Sequence, residues 1–242
     1  MSPLAAILLG SALMSVIALT GGLTLLLPRR RLQALLLPLV ALAAGTLLGG
    51  ALFHMLPEGV AALEPRRAGA WLAAGFSTFL ALEQVLHWHH SHRQGPSPQP
   101  LPLLILLGDG LHNFVCGLGV ASTYLIHPAA GVAAWLAAAA HEIPQELGDF
   151  GVLVHSGWRP RQALFWNLIS ALTFPLGALL AWGLRDVLAL APLVLFAAGN
   201  FLYIAASDLV PEIKARVAPQ EALAAFAWFA AGLLLLLALA SG

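Results

Sequence analysis

Long apolar stretches separated by short polar breaks dominate the chain. Eight stretches of roughly 20 residues or more are each long enough to cross the hydrocarbon core of a bilayer as an α-helix. We place these helices at about 4–27, 32–56, 69–91, 101–126, 131–156, 162–184, 190–213 and 220–240. The pattern predicts an all-α membrane protein in which residues 1–242 form a single transmembrane domain.

Composition agrees with a membrane protein. The chain has 242 residues, of which 60% are apolar and 9% are charged, whereas a soluble domain carries roughly a quarter charged residues. The net charge of zero gives no reason to expect a nucleic-acid partner. The first basic residue is Arg29, so we interpret residues 4–27 as a retained helix and not as a cleaved leader.

Basic residues in the short connections predict the orientation. One set of alternating connections holds eight basic residues: Arg29, Arg30, Arg31, Arg93, Arg159, Arg161, Lys214 and Arg216. The opposite set holds three, which are Arg66, Arg67 and Arg185. Because basic loops stay in the cytoplasm, both termini are expected on the non-cytoplasmic side of an integral, multi-pass membrane protein. In a bacterium this would be the inner membrane.

Two segments of the chain resemble each other. Residues 43–58 read AAGTLLGGALFHMLPE and residues 197–212 read AAGNFLYIAASDLVPE, with seven of sixteen positions identical. In the predicted topology the two segments run in opposite directions. This favours an inverted repeat, with helices 1–3 and 6–8 related around a central pair formed by helices 4 and 5. The alternative is chance similarity between two helices rich in Ala and Leu.

Polar residues inside the membrane cluster in helices 4 and 5. Helical spacing places His112 and Cys116 on one face of helix 4, and places His141 and Gln145 on one face of helix 5. Imidazole, thiolate and carboxylate are ligands that first-row divalent metals prefer. The same stretch holds three more carboxylates that we assign to a layer behind the ligands or to an ion pathway: Asp109, Glu146 and Asp149. The alternative is that these groups only hydrogen-bond the helices together.

A second group of histidines ends helix 3. It consists of His87, His89, His90 and His92. Clustered His in a polar segment can capture metal weakly, and a polar helix end without any metal role explains the pattern equally well.

Five stretches carry a family resemblance. They are LLGGALFHMLPE at 47–58, HNFVCG at 112–117, HEIPQELGDF at 141–150, NLISALTFPLGALL at 167–180 and LYIAASDLVPE at 202–212. Together they resemble the ZIP family of metal transporters, above all its branch whose fifth helix reads HEIPHE. The resemblance implies eight helices and movement toward the cytoplasm of a divalent metal, zinc first and also cadmium, iron or manganese. The metal would be the transported substrate, and no resident cofactor is implied.

The resemblance also implies ligands. His112, Cys116, His141 and Gln145 would form the main site, and Asn113 and Glu142 would contribute to an adjoining one. Cys116 stands where the family usually has Asp or Glu, and Gln145 stands where it usually has His or Glu. The expected partners are divalent metal ions and the lipid bilayer, with a homodimer left open.

An intramembrane zinc enzyme is the alternative function. His141-Glu142 begins like the HExxH motif of zinc proteases, in which Glu acts as a general base. Gln145 stands in place of the second His, and Pro144 interrupts the regular helix that the motif requires. The sequence therefore favours a transporter over an enzyme.

Overall fold

The computed structural model describes residues 2–26, 28–91, 101–214 and 219–240, and these residues contain helices and no strand. The all-α prediction is confirmed. The helices are α1 (Pro3–Ile17), α2 (Arg29–Gly49), α3 (Leu56–Ala61), α4 (Pro65–Ser91), α5 (Leu101–Ile126), α6 (Pro128–His155), α7 (Pro160–Ala171), α8 (Thr173–Leu184), α9 (Ala191–Tyr203), α10 (Val210–Lys214) and α11 (Pro219–Ala240).

Six helical stretches among the described residues are long and apolar enough to cross a membrane. They are Pro3–Leu25, Ala34–Ala61, Ile105–Ile126, Pro160–Leu184, Ala191–Leu209 and Gln220–Ala240. The other two predicted spans correspond to α4 and α6, which are long helices with a more polar composition. In α6 the polar residues lie mainly between His141 and Asp149. The residues expected to bind metal therefore lower the mean hydropathy of their own helix.

Two stretches of π-helix interrupt the repeated segments. We call Gly50–Met55 the first π segment and Ile204–Leu209 the second π segment. When residues 43–58 are aligned with residues 197–212, the two π segments coincide position for position. Each ends with an N–H that bonds a carbonyl five residues back, from Leu56 to Ala51 and from Val210 to Ala205.

A proline follows each π segment and explains its position. Pro57 and Pro211 lack an N–H, and a proline ring in a regular α-helix clashes with the carbonyl four residues earlier. A wider turn moves that carbonyl away from the ring, and π turns of this kind occur often at functional sites.

Glycines bring helix backbones into direct contact. Gly45 of α2 lies against α11, where an added Cβ would come 2.9 Å from the Leu233 nitrogen. Gly199 of α9 is the equivalent position in the second repeated segment and lies against α4. A Cβ added to Gly199 would come 2.8 Å from the Phe76 nitrogen. Small residues at crossing points let membrane helices approach closely. The pairs α2 with α11 and α4 with α9 are accordingly among the most extensive helix contacts in the molecule.

The helices α5 and α6 lie at the centre of the structure. Only His127 separates them, so they are antiparallel neighbours. Gly117 of α5 lies against the carbonyl of Phe174, and Gly177 of α8 lies close to the Leu118 nitrogen of α5, which fixes α5 on α8. In the first span a 3₁₀ segment, Ala18–Leu25, packs on α6. There a Cβ on Gly21 would come 2.8 Å from the Glu146 carbonyl oxygen.

Candidate metal centre

Two imidazoles face each other between α5 and α6. The Nε2 atoms of His112 and His141 lie 2.8 Å apart, and the ring planes meet at 83° with centroids 5.0 Å apart. The side chains are almost completely buried. Within the described part of the chain, neither ring nitrogen Nδ1 has a hydrogen-bond partner.

The spacing of these nitrogens is close to that of a zinc site. Two imidazole nitrogens on a tetrahedral zinc lie about 3.3 Å apart, given Zn–N bonds of about 2.0–2.1 Å. The observed distance of 2.8 Å is that of a hydrogen bond in which one nitrogen donates and the other accepts. The two nitrogens would have to separate by roughly half an ångström to bind one zinc ion together.

Aromatic rings hold the imidazoles on both sides. Phe79 of α4 meets His112 edge to face, and Phe201 of α9 meets His141 in a similar way, each with centroids 6.1 Å apart. These contacts pack an aromatic ring against each imidazole. The imidazoles are thus positioned by helices that lie outside the α5–α6 pair.

A carboxylate completes the histidine cluster. One oxygen of Glu142 and one nitrogen each of His112 and His141 lie within 4.8 Å of one another. Glu142 is 1% exposed, and its Oε2 is 4.0 Å from His141 Nε2. Two imidazoles and a carboxylate in a buried position form a ligand set suited to zinc.

A second cluster adjoins the first. It contains Asp109, Glu142 and Glu146, whose carboxylates also each offer an oxygen within 4.8 Å of the others. Asp109 Oδ1 accepts hydrogen bonds from Asn113 Nδ2 at 2.9 Å and from Gln145 Nε2 at 2.8 Å. The two clusters share Glu142.

The remaining predicted residues lie around these clusters. Gln145 contacts the second cluster through its amide, and Asp149 lines the cavity described below. Cys116 is 1% exposed and packs in the main hydrophobic core, and it belongs to neither cluster among the described residues. The side chains of His87, His89 and His90, and the whole of His92, lie outside the described residues.

A cavity of about 490 Å³ reaches the histidines from one side. Its lining includes His112, His141 and Asp149, together with Glu83 of α4 and Asp208 of the second π segment. His112 and His141 lie near the middle of their helices, whereas Glu83, Asp149 and Asp208 lie nearer the helix ends that precede or follow residues 92–100, 156–159 and 215–218. The cavity therefore occupies one half of the helix bundle.

Sequence reasoning missed three polar residues near the centre. Glu83 and Tyr203 both line the cavity, and the Tyr203 hydroxyl donates a hydrogen bond to the Glu83 carboxylate. Asn167 of α7 donates from Nδ2 to Glu146 Oε2 at 2.7 Å. Glu83 was detectable as a single acid late in an apolar stretch, whereas nothing in the sequence pairs Asn167 with Glu146.

Comparison with known proteins identifies one matching family and several relatives. The family model described as "ZIP Zinc transporter" matches residues 4–102 and 97–240. Zinc transporter ZIP13 of Pongo abelii is 32% identical over 82% of this chain and 65% of its own length. Human zinc transporter ZIP4 is 43% identical over 49% of this chain, and the metal cation symporter ZIP8 of Rattus norvegicus is 39% identical over 46%.

These matches cover only part of the relatives. The chain spans 65% of the length of ZIP13, 18% of ZIP4 and 24% of ZIP8. The matched family is one of transporters and not of enzymes, which confirms the resemblance that the five sequence stretches carry. The chain belongs to the ZIP zinc transporter family.

Proposed function

We propose that this protein carries zinc, or a closely related divalent metal, across the membrane through a site between α5 and α6. One observation carries the proposal: His112, His141 and Glu142 converge at a fully buried position on two antiparallel helices. Polar and ionisable residues within membrane spans are costly and usually mark a substrate pathway. The names of the relatives supply zinc as the first candidate.

The proposed ligands are His112, His141 and Glu142. Cys116 and Gln145 are the further ligands that the family resemblance implies. Gln145 would have to release its hydrogen bond to Asp109 to reach the ion. Cys116 lies in the apolar core and belongs to neither cluster of described residues, so it could join the site only after a shift of its side chain.

The proposed direction is toward the cytoplasm. The cavity leads from the histidines to the helix ends whose connections hold most of the basic residues. Those connections are cytoplasmic in the predicted topology. On the opposite side the centre is closed by packed apolar side chains such as Met55 and Phe201. A cavity on that side would let the ion leave to the cytoplasm, which supports the proposed direction.

The proposed architecture is an eight-span bundle with an inverted repeat. Its support is that both repeated segments contain a π segment at equivalent positions, and that Gly45 and Gly199 contact neighbouring helices in equivalent ways. A site between repeats at mid-depth is the usual arrangement in transporters built in this way.

Zinc uptake by the purified protein in liposomes tests the function. We expect saturable uptake by the wild type and its loss in His112→Ala and in His141→Ala. His127→Ala is the matched control, because this histidine lies at the exposed junction of α5 and α6. Normal uptake by both central variants, with equal amounts of folded protein, would contradict the proposed site. Absence of uptake by the wild type for zinc, cadmium, iron and manganese would contradict transport itself.

A further inference from the structure

A fully buried asparagine interrupts the apolar packing on the closed side of the bundle. Asn200 of α9 is 0% exposed, and its neighbours Ala198 and Phe201 belong to the main hydrophobic core. Neither Nδ2 nor Oδ1 of Asn200 has a hydrogen-bond partner among the described residues. A buried amide without partners is costly and requires an explanation. An apolar residue of similar size would avoid this cost.

Contacts on either side of Asn200 place it within one helical turn of the histidine pair. Phe201, the next residue, packs its ring on the imidazole of His141, with centroids 6.1 Å apart. Ala197, three residues earlier, lies directly against Gly119 of α5. The unpaired amide is therefore next to the proposed metal site and not at a distant part of the bundle.

Helical geometry directs Asn200 toward the groove between α4 and α5. Gly199 of α9 contacts α4, whereas Ala197 contacts α5. At about 3.6 residues per turn, position 200 falls between these two contacts around the helix axis. The same two helices meet where Phe79 of α4 packs on the imidazole of His112. Asn200 is therefore on the side of α9 that faces the helix carrying the first histidine.

The equivalent residue of the first repeated segment has a partner. Thr46 corresponds to Asn200 when residues 43–58 are aligned with residues 197–212. Thr46 is 2% exposed, and its hydroxyl donates to the Ala43 carbonyl at 3.0 Å. The unpaired polar group therefore belongs to the α9 position and is not a general feature of the repeated segments.

We propose that the Asn200 amide oxygen binds the divalent cation in passage between the closed side of the bundle and the histidine site. The inference rests on the proposed function, because it extends the path of the ion beyond the site itself. The cavity provides one half of that path and reaches α9 at Tyr203, one turn after Asn200. In the other half the ion has to cross apolar packing, and Asn200 supplies a polar group there.

A neutral amide suits a transient contact. Carbonyl oxygens are ligands for divalent cations, but an amide lacks the charge with which a carboxylate would hold the ion. A residue on an ion pathway has to bind strongly enough to admit the ion and weakly enough to release it. An ion at Asn200 would satisfy the unpaired oxygen only while it passes, so the amide costs stability in the ion-free protein and assists transport.

Substitution of Asn200 in the full-length protein tests this proposal. Asn200→Val should leave thermal unfolding in detergent, without added metal, unchanged or slightly higher, because the amide has no described partner to lose. Zinc uptake in liposomes should nevertheless fall by about tenfold or more, the scale on which hydrogen bonds to charged groups act. Zinc binding at the histidine site, measured by equilibrium dialysis, should persist. Asn200→Thr, which differs from Asn200→Val by one hydroxyl oxygen, should recover part of the uptake.

Thr46→Val is the matched control at the equivalent position. It also replaces an oxygen by a methyl group, and it removes the hydrogen bond to Ala43. It should therefore lower thermal stability and retain normal zinc uptake, the opposite of the effects expected for Asn200→Val.

The outcomes separate this inference from the proposed function. Uptake by Asn200→Val equal to that of the wild type, or equal to that of Asn200→Thr, would overturn the role of the amide oxygen and leave the proposed function intact. A lower thermal stability of Asn200→Val would show that the amide stabilises the fold, and would also overturn the inference. Absence of uptake by the wild type would contradict the proposed function itself, and the inference with it.

Discussion

Asn167 Nδ2 lies 2.7 Å from Glu146 Oε2, and this hydrogen bond joins α7 to the carboxylate cluster of α5 and α6. Both residues are buried, and the other carboxylate oxygen of Glu146, Oε1, has no hydrogen-bond partner among the described residues. Asn167 therefore acts on the cluster by positioning Glu146.

The first prediction concerns this bond. Asn167→Ala should lower the free energy of unfolding by about 1–3 kcal/mol more than Asn200→Ala does. Both asparagines are at most 1% exposed, but neither side-chain atom of Asn200 has a partner among the described residues. Equal destabilisation, measured by thermal unfolding in detergent, would show that the hydrogen bond to Glu146 contributes nothing.

The second prediction concerns the contact of α5 with α8. A Cβ on Gly177 would come 2.9 Å from the Leu118 nitrogen and would also meet the Phe114 carbonyl, so Gly177→Ala should cost about 1–3 kcal/mol through overpacking. Gly183, in the same helix, has nothing within 4 Å of the same added atom. Gly183→Ala should be neutral or slightly stabilising, because Ala favours a helix over Gly. A reversed order in thermal unfolding would contradict the observed helix contact.

The third prediction concerns Cys116 as a ligand. Cys116→Ser should lower uptake of zinc and cadmium relative to manganese, because a hydroxyl lacks the soft donor of a thiolate. The loss should be smaller than in His112→Ala, since the thiol belongs to neither cluster in the structure described here. Cys116→Asp should shift preference toward manganese or iron.

Competition uptake with zinc, cadmium, manganese and iron measures this effect. An unchanged order of metal preference in both Cys116 variants would make the residue part of the apolar core, as its packing with the core cluster suggests.

The fourth prediction concerns orientation. A cysteine at Ser2 should react with a membrane-impermeant thiol reagent from the non-cytoplasmic side. Wild-type protein is a suitable background, because its single cysteine, Cys116, is 1% exposed and should react slowly. Labelling of Ser2→Cys from the cytoplasmic side only would contradict the topology and would remove the support that the cavity gives to the proposed direction of transport.

Sequence alone predicted the all-α class and identified the polar residues within the apolar spans. The predicted helix at 101–126 coincides with α5, because apolar length and polar breaks depend on local composition alone. His112 and His141 were identifiable in the same way, because ionisable residues within apolar spans are conspicuous. The sequence comparison of residues 43–58 with 197–212 also located the two segments that contain π turns, although it gave no sign of the turns themselves.

Only the tertiary structure decided which polar groups meet. The i,i+4 spacing places His112 and Cys116 on one face of α5, yet the structure groups His112 with His141 and Glu142 and leaves Cys116 in the core. Helical spacing specifies a face, whereas the rotation and crossing of two helices determine which residue of that face reaches its neighbour. In this protein the placement of α5 depends on its close contact with α8, in which Gly117 meets the Phe174 carbonyl, and these residues are far apart in the chain. That is also why the bond from Asn167 to Glu146, and with it the carboxylate cluster, could not be derived from the order of residues.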